Sequence, residues 1–334
     1  MKLRTGLSVF NGGGGAHHSL SKENFTFDNF YFSEIDKYAN IINQKHFPKD
    51  IPLGDIMNWE SWNIDWSSVD LIMGGSPCTG FSRSGKLGGT KAKITKNNIT
   101  EDIVVTTLKK YLELKSSSST DGVTVEFLSQ SALIWEFFLI VNHVKKHNPN
   151  VKFFLENVQM DALYSDMITK NLGVEPILIN SALISPQQRK RLYWCNWETW
   201  QPEQVENLNC KNFMFDLSIG SGVCELKHFK DGFQIKHCAN AVDIKGMECI
   251  KRVYHPDGKC PTLTTMGGGH REPKLLCKDG NYRKANIIEM ERFAGLDDNY
   301  TEGVSNTQRK KIIGNGWELN TIRFLLRCLK KSLK

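Results

Sequence analysis

Val69–Asp70–Leu71–Ile72–Met73–Gly74–Gly75–Ser76–Pro77–Cys78 is the stretch on which the fold of this chain turns. Val69–Met73 is a short apolar run, broken by one acid, of the kind that forms a buried strand. Gly74–Gly75 ends it, and Ser76–Pro77 stiffens a tight turn that fixes a thiol, Cys78. In α/β folds the loops at strand ends gather the chemistry, so a cysteine there is placed to be a nucleophile. Cysteines beside buried strands also serve as inert apolar fillers, and residue type alone does not separate the two.

Upstream, Leu7–Ser8–Val9–Phe10–Asn11–Gly12–Gly13–Gly14–Gly15 is a strand, a glycine-rich turn and the start of a helix. Glycines let backbone approach a ligand closely and leave helix N–H groups free to bind it. The phosphate fingerprint G-x-G-x-x-G is replaced by four glycines in a row. Such turns serve NAD, FAD and S-adenosylmethionine proteins alike. Glu34, at the end of the next strand, is placed to hold ribose hydroxyls, or merely to start a helix. Downstream, Phe153–Phe154–Leu155–Glu156–Asn157–Val158 ends an apolar strand in a carboxylate that can hold or deliver a proton. In Gln187–Gln188–Arg189–Lys190–Arg191 the two arginines share one face of an extended segment, a pair suited to a carbonyl oxygen or a phosphate. Each has an ordinary alternative, as a loop charge or a solvent-facing basic turn.

Further outward, candidate strands at 5–10, 29–33, 71–74, 153–156, 177–180 and 191–195 alternate with candidate helices. The helices fall at 17–22, 37–46, 132–148, 160–171 and 318–330. This alternation predicts an α/β fold with a largely parallel sheet. Residues 83–128, with a serine run at 116–119, break the rhythm and read as a long mobile insertion, either a lid or a disordered loop. From about Trp197 to Tyr282 the alternation fades into short strands and glycine turns, marking a second, smaller domain.

At 334 residues the chain accommodates a large domain plus a small one. Its net charge of +7 is uneven: residues 1–200 hold 21 Lys/Arg against 20 Asp/Glu (+1), residues 201–334 hold 22 against 16 (+6). A basic C-terminal part suits a polyanionic partner, or is simply a solvated basic face. The nine cysteines lie singly, with no C-x-x-C pair, which favours a reducing cytoplasm over a structural zinc site. The first ten residues look like a strand rather than a signal peptide. No apolar run nears the roughly 18 residues of a membrane span.

Taken together, these elements resemble the cytosine-5 DNA methyltransferases of bacterial and phage type, over nearly the whole chain. The carriers, in order, are Phe10–Gly15, Ser33–Asp36, Gly54–Ile56, Ser76–Cys78, Glu156–Val158 and Gln187–Arg191. After a variable region come Tyr282–Gly295 and Gly314–Asn315–Gly316–Trp317. Several fillers depart from the family pattern: Asn11, Gly13, Thr79 after the cysteine, Ile35 for a tryptophan, Ala285–Asn286–Ile287, and Gly316–Trp317. None removes a reacting group.

The resemblance implies a Rossmann-like methyltransferase sheet with helices on both faces, plus a smaller irregular β-rich target-recognition domain. It implies a DNA (cytosine-5-)-methyltransferase that uses S-adenosyl-L-methionine and releases S-adenosyl-L-homocysteine. The catalytic domain would comprise 1–196 and 304–334, and 197–303 would form the target-recognition domain and hinge. Cys78 would add to carbon 6 of cytosine, about a few per cent of such a thiol being ionised unaided at neutral pH. Glu156 would serve ring nitrogen 3, Arg189 and Arg191 the carbonyl and the thiol, and Asn157 would brace the Glu156 loop. Phe10, Asn11, Gly12, Gly14, Gly15, Glu34, Ile35, Asp55, Ile56, Pro77 and Asn315 would hold the cofactor. Ser82, Arg252, Thr264, Thr265, Gly267 and Gly268 would meet DNA, with loop 79–100 a lid over a flipped-out cytosine. The implied partner is duplex DNA, with a cognate restriction endonuclease as a candidate second; a cytoplasmic monomer is expected. The alternatives are the same chemistry on tRNA, a catalytically silent DNA-binding homologue and, from the glycine turn alone, an NAD-type oxidoreductase.

Overall fold

The computed structural model of the protein describes residues 1–81, 89–96, 99–117, 123–226 and 237–333. Seven strands form its central sheet, in the order Ile51–Pro52, Thr26–Ser33, Lys2–Val9, Val69–Gly74, Lys152–Val158, Lys190–Cys195, Pro176–Asn180. Lys190–Cys195 runs antiparallel to both its neighbours, and every other pairing is parallel.

The middle strands are apolar on both faces because both faces are covered. Leu71, Met73 and Phe154 pack with the helices Gly15–Lys22 and Leu319–Ser332. Ile72, Phe153 and Leu155 pack with the helix Ile134–His147. Leu319, Ile322, Leu325, Leu326 and Leu329 make a stripe at helical spacing, which is why the last helix lies flat on the sheet. Gly74 permits the opposite layer to close, since a Cβ there would stand 2.6 Å from the Phe137 ring.

One strand direction shapes the site. Val9, Ser33, Gly74 and Val158 end parallel strands at one edge of the sheet. The antiparallel strand enters from that edge, so its first residues, Lys190 and Arg191, arrive where the others finish. Tyr193 pairs with Glu156 and Arg191 with Val158, which puts Arg191 and Glu156 diagonally on one face.

The segment expected to be a mobile insertion is folded wherever it is described. Lys91–Lys96 pairs antiparallel with Ile99–Val104 and with Val123–Phe127, and the helix Leu108–Ser117 contributes Tyr111 and Leu114 to the core. Ala92, Ile94, Ile103, Val125 and Phe127 supply the apolar face. Its anchor is Glu136, fully buried on the core helix. Trp59 Nε1 donates to it at 2.8 Å, Lys115 Nζ at 2.9 Å, and the Tyr111 hydroxyl donates as well. Burial beside that carboxylate pushes the Tyr111 phenol well above its ordinary range.

A second sheet holds Cys224–Leu226, His237–Ala241, Arg252–Tyr254, Lys274–Leu276 and Tyr282–Lys284 in chain order. Its neighbouring core of Cys260, Leu263, Met266, Met290 and Phe293 includes Ile313, from the helix Asn306–Asn315. The helix Ile287–Phe293 starts at a capping box of Asn286 and Glu289, so the departure Ala285–Asn286–Ile287 keeps a good helix start. Among the described residues no helix is long and apolar enough to cross a membrane.

Candidate active site

The cysteine turn is held from below by Asn157, which is fully buried. Asn157 Nδ2 donates to Ser76 Oγ at 2.9 Å and to Ser76 O at 3.3 Å, while its Oδ1 accepts from Val158 N at 2.8 Å. It therefore braces the cysteine turn as well as its own strand end, a wider role than the sequence suggested. Beyond Cys78, Gly80 N donates to Ser131 Oγ and Gly89 N donates to Gly80 O, each at 2.9 Å. Ser131 carried no signal in the sequence, being one polar residue at the start of an apolar helix.

Glu156 and Arg191 form an ion pair, Nε to Oε1 at 2.9 Å, with both side chains largely buried. Burial pushes the Cys78 thiol up, the Glu156 charge pushes it the same way, and Arg191 and Arg189 pull it down. The net effect is upward, so the resting thiol is less ionised than a free cysteine. That lowers the few per cent expected of an unaided thiol.

Arg189 sits differently from Arg191. Its Nη1 donates to Leu263 O at 3.1 Å and its Nη2 to Gly316 O at 2.9 Å. Burial lowers its pKa to about 10, leaving it a cation at neutral pH. Both ends of the guanidinium fork are committed to backbone, so it reaches Cys78 through charge alone.

A cleft opens beside this edge. Phe10, Asn11, Gly12, Gly13, Gly15 and Gly75 line it together with Tyr300, Ile312, Asn315, Gly316 and Trp317. Phe10 and Gly12 both have φ of 56°, a left-handed turn that is costly for Phe10 and natural for glycine. A Cβ on Gly12 would meet nothing within 4 Å, so its backbone is bare. Glu34 Oε2 accepts from Gly12 N at 2.8 Å, and Oε1 accepts from Ile35 N and Asp36 N at 2.9 and 2.8 Å. Gly75 is the shared wall: a Cβ there would lie 2.3 Å from Trp317 Nε1 and 3.3 Å from Glu156 Oε2.

Other expected residues are less direct. Gly14 caps the first helix and faces Asn43 rather than the cleft. Ile35 is exposed, while Asp55 accepts from Met57 N at 2.9 Å and the Ile56 side chain is buried in the core. Thr264, Thr265, Gly267 and Gly268 are exposed on one loop. Arg252 pairs with Glu248 at 2.8 Å. Ser82, and residues 82–88 and 97–98 of the expected lid, lie outside the described residues. Tyr300 was not anticipated: its hydroxyl donates to Gly13 O at 2.9 Å, from a loop with no pattern to read.

A family profile described as C-5 cytosine-specific DNA methylase matches residues 5–110 and 119–331. The chain belongs to that family. It is similar to an orphan methyltransferase, M.SPBetaI of Bacillus phage SPbeta, at 26% identity over 87% of this chain and 77% of that one. It is also similar to the type II methyltransferase M.HhaI of Haemophilus parahaemolyticus, at 23% identity over 99% and 97%. Among solved structures, the Entamoeba histolytica methyltransferase EhMeth superposes with a TM-score of 0.63 at 15% identity, all of both chains covered. A putative DNA modification methyltransferase encoded within an E. coli prophage gives 0.59 at 16% identity, 99% of each chain covered. Membership in the C-5 cytosine-specific DNA methylases makes this chain a DNA cytosine-5 methyltransferase. Its reaction delivers a methyl group to carbon 5 of cytosine and requires a methyl donor.

Proposed function

We propose that the enzyme methylates a cytosine flipped out of duplex DNA, using S-adenosylmethionine and a transient covalent bond to Cys78. The observation that carries this reading is Gly75, which lines the cleft and whose Cβ position lies within 3.3 Å of both Trp317 and Glu156, the partner of Arg191. The methyl-donor cleft and the acid–guanidinium pair thus meet at one residue, three positions before the thiol.

The cleft residues fit the donor. The open space beyond the Gly12 Cα permits close approach, and Glu34, which adjoins the lining through its bond to Gly12 N, is held by three backbone N–H groups and offers a fixed carboxylate edge for a ribose. S-adenosylmethionine bound there supplies the methyl group as an electrophile. The protein's own work is on the base. Carbon 5 is a weak nucleophile until the Cys78 thiolate bonds to carbon 6 and pushes an electron pair toward carbon 5. Glu156, acting as the protonated acid, donates its proton to ring nitrogen 3, which offsets the charge that builds on the ring, and takes it back when the thiolate leaves. Arg191, released from Glu156, takes the carbonyl oxygen and stabilises the thiolate. Water removes the carbon-5 proton, and expulsion of the Cys78 thiolate restores the ring. The base must leave the duplex because stacked carbon 6 is out of reach of a thiol.

In this reading residues 1–196 and 304–334 carry the chemistry and 197–303 read the target, with Thr264–Gly268 facing DNA. The test is expression in a methylation-free host, followed by bisulfite or nanopore sequencing of its DNA. Wild type marks one cytosine context and Cys78→Ala marks none. Labelled-methyl transfer to tRNA with none to DNA would overturn the reading.

A further inference from the structure

Arg189 is buried, and its fork joins two segments that are remote in the chain. Leu263 O, which accepts from Nη1, immediately precedes the loop on which Thr264, Thr265, Gly267 and Gly268 are exposed. Gly316 O, which accepts from Nη2, belongs to the wall of the cleft. Nε has no partner among the described residues, so these two carbonyls are the fork's anchors.

The junction around it is closely stitched. Gln187 Oε1 accepts from Leu263 N, and Gln187 Nε2 donates to Phe293 O, each at 3.1 Å. Thr262 Oγ1 donates to Gln188 O at 2.7 Å, and Cys260 N donates to Pro186 O at 2.7 Å. A second contact does not involve Arg189 at all. A Cβ on Gly314 would stand 2.0 Å from Thr264 O, so the loop's backbone lies directly on the helix turn whose next residues line the cleft.

We propose that Arg189 is a positioning residue that couples cofactor to DNA, by fixing the 263–268 loop and the Gly316–Trp317 wall to one another. The inference rests on the proposed assignment of the cleft to the cofactor and of the loop to DNA. A rigid fork with two donors at a set angle cannot follow one carbonyl without straining its bond to the other. When a cofactor orders the cleft wall, the loop is ordered with it, and less freedom is lost on meeting DNA. Linkage requires the reverse as well: DNA tightens the hold on cofactor by the same factor. This assigns Arg189 a task distinct from that of Arg191, which faces Glu156 and the base.

The experiment measures a ratio. Affinity for a duplex carrying the methylated context is read by fluorescence anisotropy with and without S-adenosylhomocysteine, and cofactor affinity by calorimetry with and without that duplex. Wild type should bind DNA ~10-fold tighter with the cofactor product present, inside the ordinary ~5–150-fold range of coupling. Arg189→Gln and Arg189→Lys should cut the ratio to about twofold or less, Lys the milder because a point donor reaches one carbonyl at a time. A merely structural role would lower the melting temperature and both affinities while leaving their ratio intact, and a wild-type ratio in a folded Arg189→Gln overturns the proposal. Should the Arg189 variants fail to fold, Thr262→Val and Gly314→Ala disturb the same junction without touching its charge. Unchanged ratios in both would be equally fatal. Wild type that binds DNA equally with and without cofactor also overturns the coupling, whereas wild type that neither binds nor methylates DNA overturns the functional reading beneath it.

Discussion

The Cys78 thiol is restrained by its surroundings. Burial and Glu156 raise its pKa, and the two arginines only partly oppose them. The sign gives a direct prediction. Glu156→Gln removes a negative charge, lowers the Cys78 pKa and speeds its alkylation by iodoacetamide at any pH below that pKa. Arg191→Ala does the opposite. Peptide mass spectrometry of the Cys78 peptide across pH reads both; identical profiles in the two variants would contradict the electrostatics. Cys78, Glu156 and Arg191 were legible in the sequence as strand-end residues, their roles being what the family resemblance implies. Arg189 was not. It shares a motif with Arg191, but its partners lie 74 and 127 residues away, beyond any local pattern.

Among elements, the glycine turn and the cysteine turn were readable because apolar strands run straight into them. The insertion was misread. Its strands are short, and their polar faces carry Lys, Thr and Glu, so the period-two signal is thin beside a serine run. The structure shows it anchored on buried Glu136 and joined to the cysteine turn through Gly80, Gly89 and Ser131. Glu136→Ala leaves the buried Trp59 Nε1 and Tyr111 hydroxyl donors without their acceptor, at a cost of about 3 kcal/mol. The melting temperature should fall by about 4 °C, with new proteolytic cleavage within 89–127. An unchanged melting curve would remove Glu136 as the anchor. At the shared wall, Gly75→Ala drives a methyl into Trp317, and overpacking by about 1–3 kcal/mol should weaken S-adenosylhomocysteine binding at least ~5-fold by calorimetry.

For the whole molecule, the α/β class and the smaller β-rich part were legible from alternation and its loss. What stayed hidden was the antiparallel strand that carries Arg191 to the working edge, because strand direction follows from tertiary pairing and not from composition. The stitching of 260–265 onto 186–189 and Gly314 was hidden for the same reason. The +6 excess over residues 201–334 belongs to this scale too. If it faces phosphate, DNA affinity should fall linearly with salt on a log–log plot, with a slope of about −0.9 for each phosphate neutralised. Charge reversals within 201–334 should flatten that slope, and a salt-insensitive affinity would detach the basic excess from DNA.

The central claim is a covalent bond between Cys78 and a cytosine in DNA. A duplex with 5-fluorocytosine at the methylated position tests it most directly, since fluorine at carbon 5 blocks the proton loss that frees the thiolate. With S-adenosylmethionine present, wild type should form a denaturation-resistant species whose mass is the sum of enzyme, duplex strand and one methyl group, mapped to the Cys78 peptide. Cys78→Ala should form none. A wild type that methylates ordinary DNA but never yields this species, or an adduct that persists in Cys78→Ala, would contradict the account.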